Sequence, residues 1–179
     1  MKSKFRVVDL AYMAVCAALI AVCSWISIPA TVPFTLQTFA VFAVLGILGG
    51  KRGTVAVCIY ILLGAIGIPV FAGFTGGIGI LLGTTGGYIV GFIFMGLIYW
   101  FAESHFGDRP FVRILAMVVG LLVCYAFGTA WFLLVYTRNS GAIAVGTALS
   151  WCVFPFLLPD FAKMALAVTL SGRVKKFVH

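Results

Sequence analysis

The chain has 179 residues, of which 64% are hydrophobic and 9% are charged, with a formal net charge of +8 and a mean hydropathy of +1.22. A water-soluble domain of this length could not bury so much apolar surface, so the composition indicates a membrane protein. Because a spanning helix needs about 20 apolar residues, roughly six helices use the whole length. We therefore predict an all-α polytopic membrane protein with six transmembrane helices, formed as a single integral membrane domain over residues 1–179.

Charge and composition also argue against several functions. The basic residues lie in loops and termini rather than on one folded face, which is typical of the positive-inside rule and not of nucleic-acid binding. No GxxxxGKS/T motif is present, so the chain does not carry its own P-loop ATPase. The sequence has no GxSxG motif and no histidine within an apolar stretch. This argues against an intramembrane enzyme and against a metal site. The five cysteines occur in apolar stretches without metal-ligand spacing and are interpreted as small buried hydrophobes: Cys16, Cys23, Cys58, Cys124 and Cys152.

The first predicted helix covers residues 9–28 and is interpreted as a retained helix, since no clean signal-peptide cleavage site follows it. It contains two pairs of alanines four residues apart, Ala14 with Ala18 and Ala17 with Ala21. Small residues at this spacing let a second helix approach closely in lipid, where packing drives association. Such spacings are common in alanine-rich helices, so they are a weak indication by themselves.

Two prolines, Pro29 and Pro33, end the first helix and open a loop that reaches Gln37. This places Gln37 near the N-terminal end of the second helix, close to the membrane boundary. The next predicted elements are a short helix over residues 36–49, a tight basic turn over 50–53 and a third helix over 54–68.

Residues 69–87 form an apolar segment that is too rich in glycine for a continuous helix. In lipid, non-helical backbone is tolerated only where protein buries it or a cavity exposes it to water. The segment is therefore either a loop whose backbone comes close to a ligand or a tightly packed re-entrant loop without one. A phosphate site is disfavoured because no strand followed by GxGxxG and no nearby lysine is present.

The second half of the chain continues with a helix over residues 88–102, a loop of mixed charge over 103–113 and a helix over 114–136. A polar turn at Arg138 follows. Residues 142–153 are apolar but too short to cross a bilayer comfortably, and we expect them to lie in the interface or to dip back into the protein. The last predicted helix begins at Asp160 and ends near Gly172, before a basic tail.

Two charged residues, Asp160 and Lys163, lie inside the apolar sequence of the last helix. Pro159 fits the first turn of a helix, where an aspartate is also favourable, and the i, i+3 spacing puts both side chains on one face. A charge at bilayer depth costs several kcal/mol on most scales and usually faces a bundle interior or a wet cavity. The alternative is an ion pair that only neutralises itself and locks two helices together.

The distribution of basic residues predicts the orientation of the chain. Only Arg138 lies on the side opposite to the termini, which places both termini in the cytoplasm and the proline breaks, the glycine-rich loop and the start of the Asp160 helix outside. The basic residues assigned to the cytoplasmic side are Lys2, Lys4, Arg6, Lys51, Arg52, Arg109, Arg113, Arg173, Lys175 and Lys176.

The outer side therefore collects a small set of polar and aromatic side chains that suits a small amphiphilic ligand. For Gln37 and Tyr88, a role as interfacial anchors is an equal alternative. The polar members are Thr35, Gln37, Tyr88, Asp160 and Lys163, and the aromatic walls are Phe34, Phe71 and Phe74.

Four sequence motifs that contain these residues resemble motifs of the BioY family, the biotin-specific substrate-binding (S) components of energy-coupling factor (ECF) transporters. Nearly the whole chain takes part in the resemblance, in order, and Thr84 stands where the family commonly has proline. The motifs are VPFTLQTF at 32–39, LGAIGIPVFAGF at 63–74, GTTGGY at 83–88 and PFLLPDFAK at 155–163.

The resemblance implies a multi-pass protein of the cell membrane that binds biotin from outside with high affinity and needs no cofactor. It also implies partnership with the integral coupling protein (EcfT) and two ATPase subunits that use ATP, with Ala14 and Ala18 on the docking face. Whether uptake also occurs without the ATPases stays open. The resemblance places these residues around biotin: Phe34, Thr35, Gln37, Phe71, Phe74, Gly86, Tyr88, Asp160 and Lys163.

Within that site, we expect Asp160 to accept a hydrogen bond from a ureido N–H of biotin. Lys163 would either pair with the valerate carboxylate or hold Asp160 in place, and spacing does not decide between these roles. The alternative ligands are other small vitamins, such as thiamin or riboflavin, bound by an S component or a stand-alone transporter of the same fold.

Overall fold

The computed structural model describes residues 6–178, and most of them are helical. Two strands of two residues each form an antiparallel pair, with Ser27 opposite Thr35 and Ile28 opposite Phe34. This small hairpin was not predicted; it replaces the last residues of the first predicted helix. In chain order the elements are α1 (Val7–Trp25), β1 (Ser27–Ile28), β2 (Phe34–Thr35), α2 (Gln37–Ala65), a 3₁₀ turn (Ala72–Phe74), α3 (Ile78–Leu82), α4 (Gly86–Phe106), α5 (Pro110–Ser140), α6 (Val145–Cys152) and α7 (Phe154–Val178).

Helix α2 reverses direction at Gly49, whose backbone has φ 78° and ψ 170°. A Cβ placed on Gly53 would lie 3.0 Å from the Cα of Leu45, and the Gln37 amide is 2.8 Å from the Tyr60 hydroxyl. Twenty-three residues of a straight helix would separate the latter pair by about 34 Å. The two arms of α2 are thus the second and third predicted helices packed side by side. The turn comes at Gly49, just before the predicted residues 50–53, because this glycine adopts the left-handed φ.

The number of membrane segments agrees with the sequence-based prediction. Among residues 6–178, five helical segments are long and apolar enough to cross a membrane, and the fifth comprises α6 and α7 together. Since one of the five, α2, folds back on itself, the described residues form six membrane segments. The all-α polytopic fold is confirmed.

The predicted start of the last helix at Asp160 was wrong. Helix α7 begins at Phe154 and contains Pro159 in its interior. Pro155 occupies the first turn, where a missing N–H costs nothing, and Pro159 removes only one bond near that end. Asp160 therefore lies in the second turn of α7, and packing rather than the helix terminus decides its surroundings.

The alanine pairs of α1 face in different directions. Ala17 and Ala21 are buried against the rest of the protein. Ala14 and Ala18 are exposed on the opposite side of the same helix. Only the second pair is thus free to contact another protein or lipid.

We call the two ends of the bundle the loop end, which holds residues 26–36 and 66–85, and the basic end, which holds 48–53, 103–113 and 172–176. At the basic end, the buried carboxylate of Asp9 pairs with Arg52 at 3.1 Å. The backbone N–H of Gly50 donates to the Glu103 carboxylate at 2.5 Å. These contacts join α1 and the turn of α2 to the C-terminal end of α4. Lys2 and Lys4, which were included in the orientation count, lie outside the described residues.

A second ion-pair group at the basic end centres on Asp108, in the connection between α4 and α5. Lys175 of α7 lies 2.5 Å from its carboxylate, and Arg113 of α5 also donates to it. Burial by itself would raise the pKa of Asp108, but the hydrogen bonds and charges of these two cations outweigh it and lower the pKa. The group therefore fastens α5 and α7 to the end of α4.

The packing of the α2 turn against α4 can be tested by a substitution at Gly50. A Cβ on Gly50 would lie 2.7 Å from the backbone nitrogen of Trp100 in α4, so we expect Gly50→Ala to lower stability by about 1–3 kcal/mol through overpacking. The measurement is thermal unfolding of the purified protein in detergent. Gly146→Ala in α6 is the matched control, because no atom lies within 4 Å of the added carbon there. Equal melting temperatures for the two variants would contradict the packing described at Gly50.

Candidate functional site

A cavity of about 260 Å³ lies at the loop end, between the hairpin loop, the start of α2, the glycine-rich segment and helices α4 to α7. Most of its wall is apolar, and its polar groups are concentrated where α2, α5 and α7 meet. Aromatic and aliphatic side chains that form the wall include Phe71, Ile80, Ile89, Phe92, Leu121 and Phe156.

The polar end of the cavity is built around the carboxylate of Asp160, which is 2% exposed. Its Oδ1 accepts from Lys163 Nζ at 2.8 Å and from the Thr38 hydroxyl at 2.9 Å. Its Oδ2 accepts from the Tyr125 hydroxyl at 2.6 Å. Each carboxylate oxygen can accept about two hydrogen bonds, so Oδ2 keeps one acceptor position for a further donor.

The ammonium group of Lys163 is fully engaged. Besides Asp160 it donates to the Thr35 carbonyl at 2.6 Å and to the Thr38 hydroxyl at 3.1 Å. Its nitrogen also lies 4.3 Å from the centroid of the Phe34 ring, which is a cation–π contact. All three N–H groups of Lys163 thus have acceptors within the protein, which fixes the start of α2 against α7.

A second buried hydrogen-bond chain leads from the cavity towards α1. The Gln37 side-chain amide donates to the Tyr60 hydroxyl at 2.8 Å, and this hydroxyl donates to the Val70 carbonyl at 3.2 Å. The Ser24 hydroxyl of α1 lies 2.5 Å from the same carbonyl. The chain therefore connects α1, both arms of α2 and the glycine-rich segment.

A third set of contacts holds the start of α4. Tyr88 and Thr129 share a hydrogen bond of 2.9 Å between their hydroxyls, and the indole N–H of Trp131 donates to the Gly83 carbonyl at 2.9 Å. Both partners come from α5. The Trp131 bond satisfies one carbonyl of the irregular backbone before α4, as lipid surroundings require, and the Tyr88–Thr129 bond ties α4 to α5.

The structure brings together six of the nine ligand-site residues expected from the sequence. The six that line the cavity are Thr35, Gln37, Phe71, Tyr88, Asp160 and Lys163.

The other three lie elsewhere. Phe34 lies behind the lining, where its ring stacks on Phe156 at 5.8 Å. Phe74 is 65% exposed and stacks on Trp25 at the outside of the loop end. Gly86 is buried against the main chain of α3, with no room for a Cβ next to Leu81, so it allows α3 and α4 to approach closely.

Two further residues of the polar end were not predicted. Thr38 follows Gln37 directly in the sequence. Its polar side chain inside an apolar helix is the sequence feature that could have identified it as a site residue. Tyr125 lies in the middle of α5, where a tyrosine is as common in a helix interface as in a binding site. Its contact with Asp160 joins residues 35 positions apart and depends on how the tertiary structure places α5 relative to α7.

The arrangement as a whole is a small, largely apolar cavity with one oriented carboxylate and several neutral donors and acceptors. This favours a compact ligand that has both an apolar body and N–H donors. Within the part of the chain that the structure describes, no group of three or more His, Cys, Asp or Glu side chains is placed to hold a metal ion.

Comparison with known proteins identifies the family. A model of the BioY family matches residues 1–179. The biotin transporter BioY of Thermotoga maritima is 43% identical over 161 residues, which cover 89% of this chain and 90% of that protein. The probable biotin transporter BioY of Pyrococcus horikoshii is 41% identical, with 80% of this chain and 81% of that protein covered.

One solved structure with a similar fold is the S-component for biotin from an ECF-type ABC transporter. It superposes with a TM-score of 0.81 and 28% sequence identity, and the alignment covers 94% of this chain and 90% of that one. The likeness therefore extends over nearly the whole fold.

Proposed function

Because the chain belongs to the BioY family, we propose that it binds biotin and mediates its uptake as the S component of an ECF-type ABC transporter. The family is one of membrane transporters and not of enzymes.

The observation that carries this proposal is the buried carboxylate of Asp160 at the end of a small aromatic cavity. Biotin combines an apolar bicyclic body with two ureido N–H groups, and Asp160 Oδ2 has an acceptor position left for one of them. A hydrogen bond to a charged acceptor is stronger than one between neutral groups. Asp160 would thus orient the ureido ring at the polar end.

For Lys163, the contacts favour the role of holding Asp160 over that of pairing with the valerate carboxylate. Its three N–H groups already meet Asp160, Thr35 and Thr38, and its side chain is 8% exposed. Pairing with a ligand carboxylate would break one of these bonds inside the protein. The valerate group would then extend towards other parts of the cavity.

The size and charge of the cavity favour biotin over the other vitamins considered. A volume of about 260 Å³ is small compared with typical ligand pockets of roughly 300–1,000 Å³. Riboflavin, with three fused rings and a ribityl chain, needs more room than biotin. Thiamin carries a permanent positive charge, whereas Asp160, the only carboxylate among the described residues that line this cavity, is already neutralised by Lys163.

We further propose that the partners are the coupling protein EcfT and two ATPase subunits, in the cell membrane, with both termini in the cytoplasm. The exposed pair Ala14 and Ala18 on α1 supports a close helix contact on that face. The basic end, where Lys51, Arg52 and Lys175 lie around one open cavity, would face the cytoplasm by the positive-inside rule. The cavity at the loop end would then open to the outside.

Isothermal titration of the purified protein in detergent tests the ligand. We expect saturable one-to-one binding of biotin and of desthiobiotin, which keeps the ureido ring, and no heat with thiamin. A thermal shift with thiamin but none with biotin would replace the proposed ligand while leaving the family assignment in place. No heat and no thermal shift with biotin would remove the proposed function.

A further inference from the structure

Beyond the residues that line the cavity, we propose that Tyr60 is a positioning residue for the ligand. Its hydroxyl holds the side chain of Gln37 so that the amide oxygen faces the cavity and accepts an N–H from the ligand. This inference rests on the proposed function, because it names how the same cavity recognises a ligand that has two N–H groups.

The direction of the hydrogen bonds follows from the Val70 carbonyl, which can only accept. The Tyr60 hydroxyl lies 3.2 Å from this oxygen and donates its single proton to it. The second lone pair of the carbonyl is available to the Ser24 hydroxyl at 2.5 Å. The Tyr60 oxygen is therefore left as an acceptor, and the group that faces it at 2.8 Å is the NH₂ of Gln37.

This arrangement leaves the other atom of the Gln37 amide, Oε1, pointing away from Tyr60. Gln37 lines the cavity, and its amide has one hydrogen bond among residues 6–176, the one that its NH₂ donates to Tyr60. Among the described residues, the hydroxyl of Tyr99 is the only fully enclosed side-chain N or O atom without a partner, so Gln37 Oε1 is open to the cavity. A ligand N–H supplies its partner.

The cavity thus offers two oriented acceptors, Oδ2 of Asp160 and Oε1 of Gln37, and each is set by a tyrosine hydroxyl from another element. Tyr125 of α5 donates to Asp160, and Tyr60 accepts from Gln37. A rotated Gln37 amide would present donors instead and would match a ligand carbonyl. By holding the amide in this orientation, Tyr60 makes Gln37 an acceptor for an N–H donor of the ligand.

The surroundings of Tyr60 make a clean test possible. Its side chain is fully buried, and its ring meets the ring of Phe71 edge to face at 5.7 Å. Tyr60→Phe keeps this ring contact and removes only the hydroxyl. Tyr99 of α4 is the matched control, because it is 1% exposed and its hydroxyl has no hydrogen-bond partner within the described part of the chain.

The experiment is a double-mutant cycle read by titration with biotin in detergent. We expect Tyr60→Phe to weaken biotin binding about tenfold, the worth of one buried hydrogen bond, and Tyr99→Phe to leave it unchanged. On a Gln37→Met background, which keeps the side-chain volume, Tyr60→Phe is expected to change the affinity by less than about twofold.

Two outcomes would overturn the inference. If Tyr60→Phe weakens binding by the same factor with and without Gln37, Tyr60 supports the fold and does not act through Gln37. If it has no effect in the wild-type background, the orientation of Gln37 does not depend on it. Absence of biotin binding by the wild-type protein would be a different result, because it would contradict the proposed function before the variants are compared.

Discussion

Replacing Asp160 by asparagine is expected to weaken biotin binding about 100-fold, which is the largest effect that we anticipate for a single atom change in the cavity. A hydrogen bond to a charged acceptor contributes about 1.5–3 kcal/mol, and the substitution also removes the charge that Lys163 neutralises. Removing one partner of a buried ion pair leaves the other uncompensated, at a cost of about 3–5 kcal/mol. Titration with biotin measures the first effect, and thermal unfolding measures the second.

A second variant separates binding from stability. Asp160→Asn combined with Lys163→Met removes both charges, so we expect the melting temperature to recover while biotin affinity stays low. Asp108→Asn at the basic end is the control for a carboxylate that also has cationic partners but lies outside the cavity. Wild-type affinity in Asp160→Asn would show that the pair is purely structural and that the ligand site lies elsewhere.

Tryptophan at Ala14 is expected to abolish energised biotin uptake by cells while the isolated protein binds biotin with wild-type affinity. The exposed small residues Ala14 and Ala18 permit close backbone approach, and an indole at this position would hold a partner helix away. Since α1 turns this face away from the cavity, ligand binding does not depend on it. Uptake of labelled biotin by cells that also express the coupling protein and ATPases is the measurement.

Val119→Trp in α5 provides the comparison for that result. Val119 is 41% exposed on an apolar helix, so a large side chain there meets lipid and is expected to leave uptake intact. Loss of uptake in both variants would indicate a general effect of membrane insertion. Normal uptake with Ala14→Trp would place the docking face on another helix.

The sequence predicted the polar end of the site as a pair but not as a network. Asp160 and Lys163 are unusual because they are charged within apolar sequence, and their spacing puts them on one face. Their other partners come from distant positions: Thr38 is 122 residues from Asp160, and Tyr125 is 35 residues from it. Contacts between residues so far apart in the chain cannot be predicted from the spacing of residues in a single sequence.

The positions of two aromatic residues relative to the cavity were also not predictable from the sequence. Phe71 and Phe74 are three residues apart in one glycine-rich segment, and the sequence treated both as cavity walls. The 3₁₀ turn at Ala72–Phe74 and the positive φ of Gly73 direct them apart, so that Phe71 lines the cavity and Phe74 stacks on Trp25 at the outside. Where the backbone is irregular, residue spacing does not predict a shared face.

By itself, the sequence determined the all-α class, the six membrane segments and the breaks between most of them. These features follow from local hydropathy and from glycine and proline positions, because each segment in lipid must satisfy its own backbone hydrogen bonds. Only the tertiary structure decided that Ala14 and Ala18 face outward while Ala17 and Ala21 face inward, and that Tyr60 and Tyr125 form hydrogen bonds with Gln37 and Asp160. The physical reason is that lipid and protein interior are equally apolar, so hydrophobic patterning cannot distinguish the side of a helix that packs from the side that meets the membrane.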